Sequence, residues 1–519
     1  MTSKSYAHNL WSVLTTAASE HGTRTAFADF EDALDYRGLL EQATALSTRF
    51  LDLGLAPGQR ISILADNCPG YLSTYFAAAG AGLVLNPLNV RLTLVELRDI
   101  AQHADSRCLL ADRAHRELAL ELVAAANFTT LIWLDDDEPG GVSWEDVLGT
   151  PSDSFEPVVV AGDAPAQLYY TSGTTGQPKG VILTHRNVTE HAHNASFELD
   201  LCASDVWGHF APLFHLADAW ACFAITMVGG SHIFVPRFSG SAVLQTIESF
   251  GVTLTNMVPT MIVRVLTEQE AKTHDLSSLR LMLSGGAPMA PALIRQLAGL
   301  IGCEYAQTYG LTETSPYLTI SRLGDESNDL NEQDRSLRVA RTGRPFRGVE
   351  LEVVRADGTH ILLDDLEVGE VRVRGETVSP GYWQQPEETA LAFRNGWFYT
   401  GDLACMDAGG WINIVDRKKD VILSGGETVY STEVENALFE HPDVREAAVF
   451  GVPDEEWGER VAAAIVLRSG CSTDAEQLQE FCRERLAGFK TPREFVFLPN
   501  LPRTGSGKIR KESLRTKSS

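Results

Sequence analysis

The sequence predicts an α/β protein: parallel sheets covered by helices, then a small β subdomain, then a second domain of α+β type. Three observations carry this. Strand-like and helix-like segments alternate through the first two thirds of the chain, short alternating strands take over from about residue 335, and a self-contained α+β pattern follows residue 417. At 519 residues the chain exceeds one ordinary core, so two or more domains are expected.

In chain order, "RISILAD" (60–66) precedes the small-residue helical stretch "GYLSTYFAAAGAG", which leads into "LVLNPLN". "VTLTNMVP" (252–259) precedes "TMIVRVLTEQEAK", and "LRLMLSGG" (279–286) precedes "APMAPALIRQLAGL". Such βα repeats place ligand-holding loops at the carboxyl ends of parallel strands. From 335 on, "VELEVVRADGTH", "GEVRVRGETVSPGYW" and "GWFYTGDLACMDAGGWINIVDR" read as hairpins on Asp-Gly and Gly-Gly turns. The charged cluster Arg417–Asp420 is the expected boundary, giving domains 1–417, with the β subdomain at about 335–417, and 418–519. The second holds helix "STEVENALFEH", strands "VREAAVFGV" and "RVAAAIVLRS", and helix "AEQLQEFCRERL".

With 69 acidic against 43 basic residues the formal charge is −26, which argues against nucleic-acid and anionic-membrane partners, since both would be repelled at long range. No stretch approaches the ~20 apolar residues of a membrane span, and the N-terminus lacks an apolar signal core. The eight cysteines form no CxxC pair, as expected of reduced thiols in a cytoplasmic protein without a zinc site or disulfide framework. A homodimer is left open.

"YYTSGTTGQPKG" (169–180) crowds hydroxyls, glycines and one lysine behind a strand-like run. Consecutive backbone N–H groups of such a loop form an anion nest, with Thr171, Ser172, Thr174 and Thr175 adding donors, Gly173 flexibility and Lys179 charge. A Walker A loop would need Gly-Lys-Ser/Thr; here Lys179 lies between Pro178 and Gly180, so that reading fails. A flexible Gly/Ser linker is the plain alternative, and it has no use for a fixed cation beside a proline.

The stretch resembles the phosphate loop of the adenylate-forming superfamily, which includes acyl-CoA synthetases, peptide-synthetase adenylation domains and firefly-type luciferases. "YGLTET" (309–314), "GYW" (381–383), "YTGD" (399–402), "GWINIVDRKKDVILSGGETVYSTEVE" (410–435) and "LPRTGSGKI" (501–509) follow in the family's order, so the resemblance runs from about residue 10 to 511. It implies two helix-covered sheets and a small β-barrel subdomain in the N-terminal domain, a mobile C-terminal domain, and ATP, Mg²⁺ and CoA as reaction partners of a small carboxylic acid. The reaction has two halves: a carboxylate attacks the α-phosphate of ATP, releasing pyrophosphate, and a thiol then displaces AMP from the acyl-adenylate.

The resemblance also assigns roles. Residues 171–175 and Lys179 would hold the β- and γ-phosphates. Gly285, Gly286, Ala287 and Pro288 would lie along the adenine, with Gln307, Thr308, Tyr309 and Gly310 completing the nucleotide site. Thr312 would bond the α-phosphate and Glu313 would ligate Mg²⁺, a hard cation that pairs with carboxylate and phosphate oxygens. Taken alone, these two read equally as a helix cap and a first-turn acid. Asp402 would accept from the ribose hydroxyls, assisted by Arg417, and Lys508 would stabilise the pentavalent phosphate. Rotation about Lys419 would withdraw Lys508 and bring in Ser424, Gly425 and Gly426 to line the pantetheine path.

For the acid, "HFAPLFHLADAWACFAITMVGG" (209–230) corresponds to the family's pocket segment. Amino-acid-activating relatives carry Asp after the Phe; here Phe214 is followed by His215, which points away from an α-amino acid, with Asp218 the residue that keeps the question open. His215 is expected to gate or orient the carboxylate, a satisfied structural histidine being the competitor. Leu213, Leu216, Trp220 and Phe223 suit a hydrophobic acyl group and equally a core helix. About ten residues follow Lys508, so a free acceptor is expected, CoA first and a carrier-protein pantetheine second. Thr428 and Ser431 stand where many relatives have Asn and Pro. A luciferase-like oxygenase, a nucleotide-binding regulator and an enzyme retaining one half-reaction are the competing functional readings.

Overall fold

The computed structural model describes residues 9–135, 139–151, 154–171, 178–269, 271–324, 329–503 and 509–515. The chain divides into two compact units, residues 1–351 with 373–398 and residues 352–372 with 399–519.

The first unit is built on two sheets. One runs, in spatial order, Thr130–Trp133, Ser106–Ala111, Arg60–Leu64, Val84–Pro87, Pro165–Thr171 and Lys179–Thr184; the first five are parallel and only the last is antiparallel. The other has nine strands, with a parallel centre that includes Val206–His209, Leu254–Asn256, Leu281–Ser284 and Glu304–Gly310 and antiparallel edges such as Tyr317–Ile320. The predicted βα alternation is thus present: helices Pro69–Gly80, Pro259–Thr267 and Pro291–Ile301 each start on proline, which tolerates the first helical turn because its missing N–H has no partner there anyway.

Helix Leu216–Val228 is apolar on every side apart from Asp218 and Thr226, and a helix of that composition belongs in a core. Trp220 and Phe223 are 1% and 0% exposed, and the helix packs on Leu10–His21 and His185–Glu198. Each such aromatic contributes about 1.5–3 kcal/mol by burial.

The expected hairpins form a five-stranded antiparallel-edged sheet of Glu350–Val354, Gly369–Arg374, Trp397–Met406 and Phe393–Arg394, with Ile412–Arg417 paired to Trp397–Met406. The second unit takes in residues 399–417, which the sequence places before the boundary, because Asp416 and Val415 are hydrogen-bonded to Ser431 and Thr432. Its own sheet centres on the hairpin of Val444–Asp454 with Gly458–Leu467. Both faces of this hairpin are covered: Ala447, Val449, Ala463 and Ile465 pack with helices Ser431–Phe439 and Ala475–Arg483, while Ala448, Phe450, Ala464 and Val466 pack with Leu501 and Leu514. Burial on both faces explains why these strands read as unbroken apolar runs. All eight cysteines are free thiols, and among the described residues no helix is long and apolar enough to cross a membrane.

Candidate active site

Two adjacent parallel strands deliver the expected nucleotide loops. Ser284, at the end of Leu281–Ser284, lies opposite Gln307 in Glu304–Gly310, so Gly285–Pro288 and Gln307–Gly310 leave the sheet side by side. Gln307 ties them by donating from Nε2 to the Ala287 carbonyl at 2.9 Å, and its own Oε1 accepts from Tyr305 at 2.6 Å. Thr308 donates to the Ser284 carbonyl at 3.1 Å. Gly286, Ala287 and Pro288, the residues expected along the adenine, are exposed. At Gly310 a Cβ would come within 1.7 Å of the Pro316 carbonyl oxygen, so the chain turns there only because no side chain is present.

The phosphate stretch is a connection between antiparallel strands, with Thr171 opposite Lys179 and Tyr170 opposite Gly180. This differs from a Walker loop, which runs from a strand into a helix. Ser172, Gly173, Thr174 and Thr175 lie outside the described residues, as does Lys508. The Lys179 ammonium pairs with Glu388 and sits 5.0 Å from the centre of the Tyr382 ring. The Tyr382 hydroxyl donates to Glu313 Oε1 at 2.9 Å. Tyr382 is held against the sheet because Trp383 N donates to Gly180 O and Ile182 N to Gly381 O, so "GYW" runs alongside Lys179–Thr184. Burial pushes the Tyr382 phenol well above its ordinary value, and the Glu313 carboxylate adds to the shift, so Tyr382 acts as a hydroxyl donor throughout the working pH range. One tyrosine therefore anchors the expected metal ligand by its hydroxyl and the expected phosphate ligand by its ring face.

Glu313 and Thr312 sit in a single 3-10 turn, Thr312–Thr314, directly after the strand that carries Gln307–Gly310. Glu313 is buried, and Tyr382 is its side-chain donor among the described residues, leaving Oε2 for a cation. Magnesium is commonly held by one or two carboxylates together with substrate phosphates, and this arrangement fits that habit. The one group of described side chains with metal-ligand spacing, Asp66, Asp112 and His115, is elsewhere in the fold and closed on itself: His115 Nδ1 meets Asp112 at 2.6 Å, and Arg237 meets Asp66 at 3.3 Å.

His215 is the residue before helix Leu216–Val228, partly exposed, with its ring edge-on to Phe214. The apolar residues expected to surround an acyl group, Leu213, Leu216, Trp220 and Phe223, are at most 4% exposed and belong to the main core, so the core-helix reading describes them. Asp218 points into that core as well. Its carboxylate receives Trp207 Nε1 at 3.1 Å and meets His209 Nδ1 at 2.7 Å, with His209 Nε2 in turn 2.9 Å from His232 Nδ1. Burial raises the Asp218 pKa and His209 draws it back. With its oxygens committed internally, Asp218 is no partner for a substrate ammonium.

In the second unit, Asp402 and Arg417 face each other across the hairpin, with Arg417 Nε 2.9 Å from Asp402 Oδ1. Asp402 is buried and Arg417 is 43% exposed, an arrangement of a fixed acceptor beside an accessible guanidinium. Ser424 is buried at the end of strand Ile422–Ser424, and Gly425 and Gly426, at φ +63° and +84°, make the two-residue turn into Glu427–Val429. Two successive positive φ values are what a tight hairpin of this hand demands, and a Cβ on Gly425 would strike the Trp457 ring at 2.6 Å. The sequence reading named Gly425 and Gly426 but missed Tyr382 and Glu388, although "GYW" was the signal for the first.

The pattern of the family described as "AMP-binding enzyme" matches residues 14–383, and that of the "AMP-binding enzyme C-terminal domain" matches residues 433–508. A feruloyl-CoA synthase of Amycolatopsis sp is 35% identical over 97% of this chain and 98% of its own. A long-chain-fatty-acid–CoA ligase of Thermus thermophilus is 34% identical over 98% of this chain and 95% of its own. Among solved structures, ATP-bound MatB from Rhodopseudomonas palustris superposes with a TM-score of 0.87 at 29% identity, covering 98% of this chain and 99% of that one.

Proposed function

This chain belongs to the AMP-binding enzyme family, and on that premise we propose how its residues divide the work of an AMP-forming carboxylate–CoA ligase. ATP, a carboxylic acid and CoA are its substrates. A carboxylate is a poor electrophile; attack of its oxygen on the α-phosphate forms a mixed anhydride as the bond to pyrophosphate breaks. The thiol, on losing its proton, then attacks the acyl carbon and AMP departs. The protein's contribution is alignment of two anions and neutralisation of the charge between them.

The observation that carries the assignment of the first half is Tyr382, which gathers Glu313 and Lys179 on one side chain. Lys179, with the hydroxyls of 171–175, holds the departing phosphates; when they arrive, they replace Glu388 as the partner of the ammonium. Thr312 and Lys508 serve the α-phosphate. Glu313 would hold a magnesium ion, whose charge would neutralise the phosphate oxygens. Asp402 and Arg417 hold the ribose in both halves, and the glycine turn at 425–426 gives the pantetheine arm a path free of side chains. Residues 418–519 turn about Lys419 between the halves.

The acid is a hydrophobic, non-amino one: His215 takes the place of the ammonium-binding Asp, and Asp218 is spent inside the core. The two relatives named for feruloyl and long-chain fatty acyl groups are almost equally similar to this chain, so they support both kinds of acid alike. A panel of acids incubated with ATP, Mg²⁺ and CoA, with AMP, pyrophosphate and thioester each measured, tests the proposal. Equal amounts of all three with one acid class are expected; ADP in place of AMP would defeat it, and thioester only on a carrier protein would move the acceptor from CoA to a pantetheine arm. Solution mass decides between a monomer and the homodimer left open, and cell fractionation tests the cytoplasmic location.

A further inference from the structure

A closed polar network in the second unit links the two ends of its catalytic equipment. Asp416, 3% exposed, is the residue before Arg417. Its Oδ1 accepts from Arg417 N at 2.7 Å and from the Ser431 hydroxyl at 3.1 Å, while its Oδ2 accepts from Ser431 N. The Ser431 hydroxyl in turn accepts from the Lys511 ammonium at 2.6 Å. Lys511 also meets Glu435 Oε1 at 2.8 Å, and that oxygen accepts from Val449 N at 2.8 Å. Every donor and acceptor role is consistent: lysine gives, serine receives and gives onward, aspartate receives.

The charges are two carboxylates, Asp416 and Glu435, against one ammonium. Lys511 and Glu435 side chains are only 15% and 14% exposed, so neither is freely solvated. Burial raises the Glu435 pKa and Lys511 pulls it back. Without the ammonium, two enclosed acids would be left facing one hydroxyl, and such a pair relaxes by taking up a proton, admitting water or moving apart. Each response loosens the bonds from Asp416 to Arg417 N and to Ser431, the residue that follows the segment 424–430. Lys511 is itself fixed, because Leu514 on the same short helix is 3% exposed against Phe450 and Leu501, and Arg515 reaches the Lys419 carbonyl at 3.4 Å and Asp420 at 3.3 Å. A proline at position 431 would supply neither the N–H nor the hydroxyl this network uses.

We propose that Lys511 is a positioning residue that, through Ser431 and Asp416, sets the ribose-side Arg417 and the thiol-side turn at Gly425–Gly426 together. The inference rests on the reading of Arg417 and of the glycine turn given above. Lys511→Met in the full chain is expected to raise the KM for ATP in pyrophosphate release about tenfold and the KM for CoA, measured with supplied acyl-adenylate, by a similar factor, while the KM for the acid stays within twofold. Lys511→Arg, which keeps a cation in reach of Glu435 and Ser431, restores both KM values to within threefold. A rise of all three KM values together, or no change in any, overturns the proposal. If Lys511→Met gives no folded protein, Ser431→Ala is read in its place, with a two- to fivefold rise in the same two constants expected and the same outcomes overturning it. Arg417→Ala separates the premises: an unchanged KM for ATP there refutes the ribose assignment, whereas a raised one beside an unaffected Lys511→Met refutes the positioning role alone.

Discussion

Replacing Asp402 by Asn keeps the shape of the side chain and removes its charge. Asp402 is 2% exposed, so its oxygens have little water to fall back on, and a hydrogen bond to a charged acceptor is worth about 1.5–3 kcal/mol. The amide keeps one oxygen, turns a donor toward the other ribose hydroxyl, and so forfeits about one such bond. That corresponds to a fall of about 10- to 150-fold in kcat/KM for ATP. Because the ribose is present in both ATP and the acyl-adenylate, conversion of supplied adenylate to thioester falls by a comparable factor. Stability changes little, since Arg417 is 43% exposed and its screened ion pair contributes about 1 kcal/mol or less. The assay is pyrophosphate release and thioester formation measured separately, with a melting curve beside them. A loss confined to one half-reaction, or activity within twofold of wild type in both, would refute the ribose assignment.

Gly310→Ala places a methyl 1.7 Å from the Pro316 carbonyl oxygen, an overlap with backbone that costs about 3 kcal/mol, read as a drop of several degrees in melting temperature with reduced nucleotide binding; an unchanged melt would contradict the close approach. Acid should weaken the fold in a defined window. Burial lowers the His185 pKa to about 4 and the His191 pKa to about 3, so below the unfolded value of about 6.5 the unfolded chain binds protons that the folded one does not, and stability falls as pH drops from about 6.5 toward 4. At pH 5 the two together cost about 4 kcal/mol. Urea midpoints that stay level from pH 7 to 5 would contradict the neutral burial of these rings.

The β/α alternation and the hairpin region were legible because the side-chain period and the turn residues are local: Gly425 and Gly426 stand together in sequence and make their turn together. The segments 285–288 and 307–310 stood out as motifs, and the topology explains why they lie side by side, since Ser284 and Gln307 are neighbours in adjacent strands. What the sequence withheld are pairings that only the folded topology creates. Lys179 and Glu388 are 209 residues apart, Glu313 and Tyr382 are 69 apart, and no periodicity connects them. Asp218 shows the converse limit: placed one turn from His215, it reads as a pocket residue, yet helix phase turns it toward Trp207 and His209 in the core. The aliphatic and aromatic residues around it were equally ambiguous, because a pocket wall and a core helix have the same composition.

In the proposed division of labour, separate residues of one chain serve the two half-reactions. Lys508→Ala separates them, with pyrophosphate release from ATP and acid measured beside thioester formation from supplied acyl-adenylate and CoA. Pyrophosphate release should collapse by about 100-fold or more, in line with removal of a charge that acts on the transition state, while conversion of the adenylate continues at close to the wild-type rate. Equal loss of both would contradict the division of labour.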